Sequence, residues 1–196
     1  MGKRHNSQAS NVTINRIPIE WKSELKYLGI QFLSGSRLRC NVQIIRQKFF
    51  RATNGIFGKI GTKAPLNCYS TLINSYCTPL LTFGMEAIFL SKSDLNSIKA
   101  AFTAGWSKIF GSFDHNVIYN CLYYCNVLPI EFCIDQRKLS FLDQIASSDH
   151  IGLLNLFAIH GKPIILDLVS KYHLNTNESW NCWKMKIWES FNQSRS

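Results

Sequence analysis

Four residues in the second half of the chain carry ligand chemistry: His115, Cys121, Cys125 and Cys133. Imidazole and thiolate are zinc donors, yet the gaps of five, three and seven residues match no common finger spacing. On a helix Cys121 and Cys125 share one face, which suits core packing equally. A thiol nucleophile would need a histidine base in reach, and nothing in the spacing of the five histidines specifies one. Seven cysteines, an odd number with no CxxC pair, predict reduced thiols inside a core. Paired carboxylates could hold two metal ions at a phosphoryl centre. No Asp precedes Asp94, however, and Glu20 and Glu24 are the acids before it that bear on this, with Glu86 far downstream. A tryptophan cluster at Trp180, Trp183 and Trp188 could stack on bases, but such clusters more often close a core.

The charge is what remains unexplained by a bland core. Residues 1–63 hold twelve Lys/Arg against two acids, a net +10, while residues 64–196 hold ten against ten. A basic block joined to a neutral one predicts that one part faces a polyanion and the rest supports it. The apolar fraction of 46% is ample for a core, which excludes general disorder. No run approaches the roughly 18 uncharged apolar residues of a membrane span. The opening MGKRHNSQAS has no apolar segment of a secretory signal. The expected location is therefore intracellular, nuclear or cytoplasmic, and not secreted, with no membrane partner.

These residues need elements to position them. Val12 and Ile14, then Ile17 and Ile19, alternate with polar residues or Pro18, with a tight turn predicted at Asn15-Arg16. Pro18 confines the second run to a sheet edge. Leu25 to Phe32 reads as a further strand, with Lys26, Leu28, Ile30 and Phe32 on one face and Tyr27 and Gly29 on the other. From Leu38 the period changes: Leu38, Val42, Ile45, Phe49, Ala52 and Ile56 form one helical stripe, ended by Gly58, Gly61 and Pro65. Arg39, Arg46, Lys48, Arg51 and Lys59 lie off it. A second long helix is expected from Leu66 to Leu90, kinked or split at Pro79. Ser93 is the expected N-cap of a third, ending near Gly111. Shorter helices follow near Val117–Cys125, after Pro129, around Gly161 and over 179–191. The expected fold class is mainly α with a small N-terminal β-hairpin or edge element.

Several ordered strings carry a resemblance: KYLGI from Lys26, RQKFFRATNGIFGKIG from Arg46, SYCTPLLTFGMEAIFLS from Ser75 and WSKIFG from Trp106. They resemble the segment following the catalytic core in non-LTR retrotransposon (LINE-type, jockey-like) reverse transcriptases. MGKRHN and VTINRIPIEW are similar to the end of the palm before it, and LPIEFCIDQRKLSFL to the region beyond. The resemblance covers roughly residues 1–147.

The resemblance implies a fragment of such an RNA-directed DNA polymerase. Residues 1–36 would be the end of the palm with its primer-grip hairpin, 37–112 thumb-like helices and 113–196 a helical extension. Lys26, Tyr27, Leu28 and Gly29 would form the primer grip. Arg39, Arg46, Lys48, Arg51, Lys59 and Lys63 would contact phosphates of an RNA/DNA template–primer duplex. The fingers, most of the palm and the aromatic-x-Asp-Asp motif that holds Mg²⁺ in the complete parent enzyme are missing, so no catalytic residue and no cofactor are expected in this chain. Two alternatives stand beside this reading: a non-catalytic RNA- or DNA-binding module derived from such an element, and an inert remnant.

Overall fold

In the computed structural model the described residues are 12–35, 39–61, 64–88, 90–175 and 178–195. The chain is mainly helical with a small antiparallel sheet component at its N-terminal end. Strands β1 (Thr13–Ile14) and β2 (Ile17–Pro18) form a minimal hairpin. Its turn is Asn15-Arg16, both at positive φ (50° and 67°), the left-handed pair that matches strand twist. Strands β3 (Glu24–Tyr27), β4 (Ile30–Leu33) and β5 (Arg39–Cys40) make a second sheet in that order.

The stretch from Leu25 to Phe32 is therefore not one strand. Leu28 (φ 46°) and Gly29 (φ 83°) form another two-residue turn between β3 and β4. That turn corrects the expected faces. Leu25 pairs with Phe32, Tyr27 with Ile30, and Phe32 with Cys40, so these five share the apolar face. Lys26 pairs with Gln31 and lies on the polar face with Glu24, whose carboxylate accepts a hydrogen bond from the Gln31 amide. Alternation predicts one parity across the whole run; two turn residues at positive φ reset it.

Helix α1 (Val42–Ile60) begins where β5 releases the chain, and the Asn41 side chain caps the Ile44 N–H at 3.4 Å. The expected start at Leu38 is too early because Arg39 and Cys40 pair with β4; Leu38 itself lies outside the described residues. Gly61 (φ 73°) ends the helix, its N–H bonded to the Phe57 carbonyl. Val42, Ile45, Phe49 and Thr53 are its buried face.

The second helix is split, and the split has a structure. Helix α2 (Leu66–Leu72) runs into a π turn over Ile73–Cys77, then α3 (Thr78–Thr82). The Thr78 N–H reaches back five residues to the Ile73 carbonyl, one turn before the ring of Pro79 would crowd a regular helix. The wider turn shifts the buried face. Tyr69 and Ile73 are followed inward by Cys77 and Leu81, while Tyr76 and Phe83, expected on the buried stripe, are exposed. The helix ends at Thr82, not Leu90, and Gly84 (φ 74°) turns the chain.

Helix α4 (Lys92–Phe110) is capped by Ser91, not Ser93. The Ser91 hydroxyl accepts from the Asp94 N–H at 3.1 Å and the Asp94 carboxylate accepts from the Ser91 N–H at 3.3 Å. Asp94 is the third helical residue from Ser91, so only Ser91 obtains this reciprocal pair. Gly105 lets α4 lie against α1, since a Cβ there would sit 2.8 Å from the Phe49 ring. Helices α5 (His115–Tyr124), capped by Asp114, and α6 (Ile130–Ala146), after Pro129, follow as expected. Helices α7 (Ile151–Leu156) and α8 (Lys162–Tyr172) are joined by a π turn, and α9 (Trp180–Gln193) comes last.

One hydrophobic cluster runs from Cys40 and Phe49 through Trp106, Ile118 and Ile134 to Ile187 and Phe191. The tryptophans of α9 belong to it: Trp183 is buried, and its indole N–H donates to the Asn175 carbonyl at 2.8 Å. The continuous helical stretch Ile151–Tyr172 has a mean hydropathy of 1.4 in its most apolar window, long and apolar enough to cross a membrane by length and composition alone. It contains Lys162, Asp167 and Lys171, and most of that window lies outside the core.

Candidate nucleic-acid interface

The basic residues of α1 are sorted by the helix itself. At about 100° per residue, Lys48, Arg51, Gly55, Gly58 and Lys59 fall within a sector of roughly 100°, opposite the Val42–Phe49–Thr53 face. All five are exposed. The three cations span about 17 Å along the axis. Between them, Gly55 and Gly58 leave open space: a Cβ built at either meets no atom within 4 Å. The stripe is thus cationic at its edges and flat in its middle.

Arg46 does not join it. It lies on the flank of the buried face, with Nη1 donating to Gln43 Oε1 at 3.2 Å and Nε buried without a partner among the described residues. Arg39, on β5, stands 3.5 Å from the Asp94 carboxylate, the same group that caps α4. Its charge is already matched. Lys63 lies outside the described residues.

The hairpin candidates sit beside the stripe. Lys26 projects from the polar face of β3, and Tyr27 and Leu28 are exposed at the tip. The Gly29 carbonyl accepts a hydrogen bond from Lys48 Nζ at 3.2 Å, which pins the β3–β4 turn to α1. From the other side, Gly84 seats against Ile30 so closely that a Cβ would come within 2.3 Å of Ile30 Cδ1. Lys48 therefore joins two candidate groups that look separate in sequence.

Lys108 is a cation that the sequence reading missed. It projects from the last turn of α4, donates to Asn54 Oδ1 at 3.1 Å and lies 4.6 Å from the Phe57 ring centroid. It thereby adds to the exposed flank of α1. Its signal was hidden because it belongs to the charge-balanced part of the chain.

The described residues contain no group of three or more His, Cys, Asp or Glu side chains that could hold a metal ion. Glu20 is paired with Lys22, and Glu24 with Gln31. Among the described residues, neither of these hairpin carboxylates belongs to a cluster that could hold a metal ion. His115 stacks on Tyr119 with centroids 4.0 Å apart instead of joining the cysteines. The Cys133 thiol donates to the Leu128 carbonyl at 3.3 Å, and burial, helped by Glu131, pushes its pKa up to about 12. Burial also raises Cys40, Cys77 and Cys125. A thiol held neutral is a poor ligand and a poor nucleophile, so these cysteines serve the core.

No protein-family model, curated protein or solved structure matches the chain.

Proposed function

We propose that this chain is the end of the palm, the thumb and the following segment of a non-LTR retrotransposon reverse transcriptase, and that it binds the template–primer duplex. The ordered strings between Lys26 and Phe110 support the family. The observation that carries the function is the stripe on α1: Lys48, Arg51 and Lys59 with two open glycines between them, beside a hairpin tip held by Lys48. Cations at this spacing neutralise phosphates without reading sequence. Glycines with no packing partner let a sugar–phosphate backbone come close to the helix. A heteroduplex of A-like geometry is gripped by shape and backbone in this manner. Tyr27 and Leu28 at the tip would meet the primer end. No catalytic residue is assigned to these elements, and the proposed setting is intracellular, nuclear or cytoplasmic.

The test is duplex binding by fluorescence anisotropy over a salt series, using an RNA/DNA hybrid. Charge reversal at Lys48, Arg51 and Lys59 together should weaken binding and reduce the slope of log affinity against log salt by about 3, near one per lost phosphate contact. An unchanged affinity and slope in a folded triple variant would refute the basic-face reading.

A further inference from the structure

The charge-balanced half of the molecule holds a cleft of about 250 Å³ where α4, α5, α6 and the turn after α9 meet. Several of its polar groups face solvent and are open to a ligand. Glu131 Oε1 accepts from the Tyr119 hydroxyl at 2.6 Å and from Lys99 Nζ at 2.9 Å, while Oε2 has no partner among the described residues. Burial and the neighbouring carboxylate raise the Tyr119 pKa, so its hydroxyl stays a donor. His115 is stacked on Tyr119, and neither its ring nitrogens nor the Asn116 side chain finds a partner among the described residues. Arg195 lies over the Tyr123 ring at 3.8 Å and donates Nε to Asn120 Oδ1 and Nη1 to Asn192 Oδ1. No carboxylate neutralises it among the described residues.

A free carboxylate oxygen, a free amide, a stacked aromatic pair and an unmatched guanidinium in one small cleft call for a ligand with a planar, hydrogen-bonding edge and an anionic tail. We infer that the cleft binds one unpaired nucleotide whose base carries an exocyclic amine. The base would stack on the outer face of His115, as unpaired bases do on aromatic and imidazole rings. Its amine would donate to Glu131 Oε2, since a carboxylate accepts from an amino-bearing edge and repels a carbonyl one. Asn116 would serve the neighbouring ring position, and Arg195 would take the phosphate. The cleft is too small for a duplex, and none of the residues lining it belongs to α1, so the two sites use different side chains.

The ligand could arrive as a free nucleotide or as the unpaired end of a strand, and the arms of the experiment distinguish these. The full chain is titrated with CMP, UMP, cytidine, inorganic phosphate and a single-stranded cytidine tetranucleotide, read by ligand-observed NMR. CMP should bind about tenfold tighter than UMP, the cost of facing an acceptor with an acceptor. Arg195→Ala should weaken CMP by about tenfold and leave cytidine unchanged. Glu131→Gln should abolish the preference for CMP over UMP. Because that change also touches Lys99 and Tyr119, the exposed Asn116→Ala variant provides a second loss of CMP affinity. The charge-reversed α1 variant should bind CMP as the wild type does, which separates this site from the duplex face. Tighter binding of the tetranucleotide assigns the strand end, and equal binding assigns the free nucleotide. Absence of binding, equal affinity for CMP and UMP, competition by phosphate alone at the same concentration, or indifference to Arg195→Ala and Asn116→Ala would each overturn the inference.

Discussion

Gly55 and Gly58 are the residues at which folding and the proposed interface pull apart. Each sits inside α1, where glycine costs roughly 1 kcal/mol relative to alanine, and neither is required by packing. Gly55→Ala and Gly58→Ala should each stabilise the protein by about 0.5–1 kcal/mol, seen as a higher urea midpoint. The same variants should bind duplex more weakly, because a methyl stands where the backbone would approach. A gain in stability with no loss of binding would detach the glycines from the interface. At this scale the sequence was partly legible. Lys48, Arg51 and Lys59 could be placed outward because the apolar stripe of α1 is regular. The neutralisation of Arg39 could not be foreseen, since Asp94 comes from an element far along the chain. Lys108 was missed for the same reason, its neighbours Asn54 and Phe57 being set by the packing of α4 on α1.

Elements were legible where periodicity was long and illegible where backbone chemistry decided. Both hairpin turns use residues at positive φ, and Leu28 in that role gives no sequence signal. The π turn before Pro79 shifted the buried face by one residue, which a regular 3.6-residue period cannot anticipate. Gly84 is the critical position of this region: its φ of 74° strains any side chain, and a Cβ there would also push aside the end of the Ile30 side chain. Gly84→Ala should destabilise by roughly 2 kcal/mol and loosen the β3–β4 turn, visible in a lower thermal midpoint and weaker duplex binding. Intact stability in that variant would show that the seat yields. At the other end, Glu178 ties the entry of α9 through Lys186 Nζ at 2.7 Å. That hydrogen bond, and then the Asn175 N–H, hold its carboxyl below its ordinary value of 4.5. A carboxyl lowered by folding contributes stability above its unfolded value and loses it as pH falls through the folded one. Glu178→Gln should therefore lower the urea midpoint near neutral pH, and the difference from wild type should close as pH drops below 4.5. A pH-independent difference would remove the ionised pair as its cause.

The whole molecule is held by one apolar cluster that begins at the small sheet and ends at Phe191. Phe191 is fully buried and meets Tyr119, Tyr123, Phe132 and Trp188. Phe191→Ala should cost about 3–5 kcal/mol and lower a single unfolding transition, because the last helix and the basic helix share this core. Two separated transitions, with α1 melting independently, would contradict that. The sequence read the basic block and the neutral scaffold as halves with different duties, but it could not show that they share one interior. That continuity gives the Lys48 hydrogen bond to Gly29 a mechanical meaning. An ammonium has three protons, and one on the Gly29 carbonyl leaves two for a phosphate. Strain applied to the helix by a moving strand would pass through that amine to the hairpin tip. The tip and the helix would then follow the strand as a single lever pivoting on the core, not as two loose fingers.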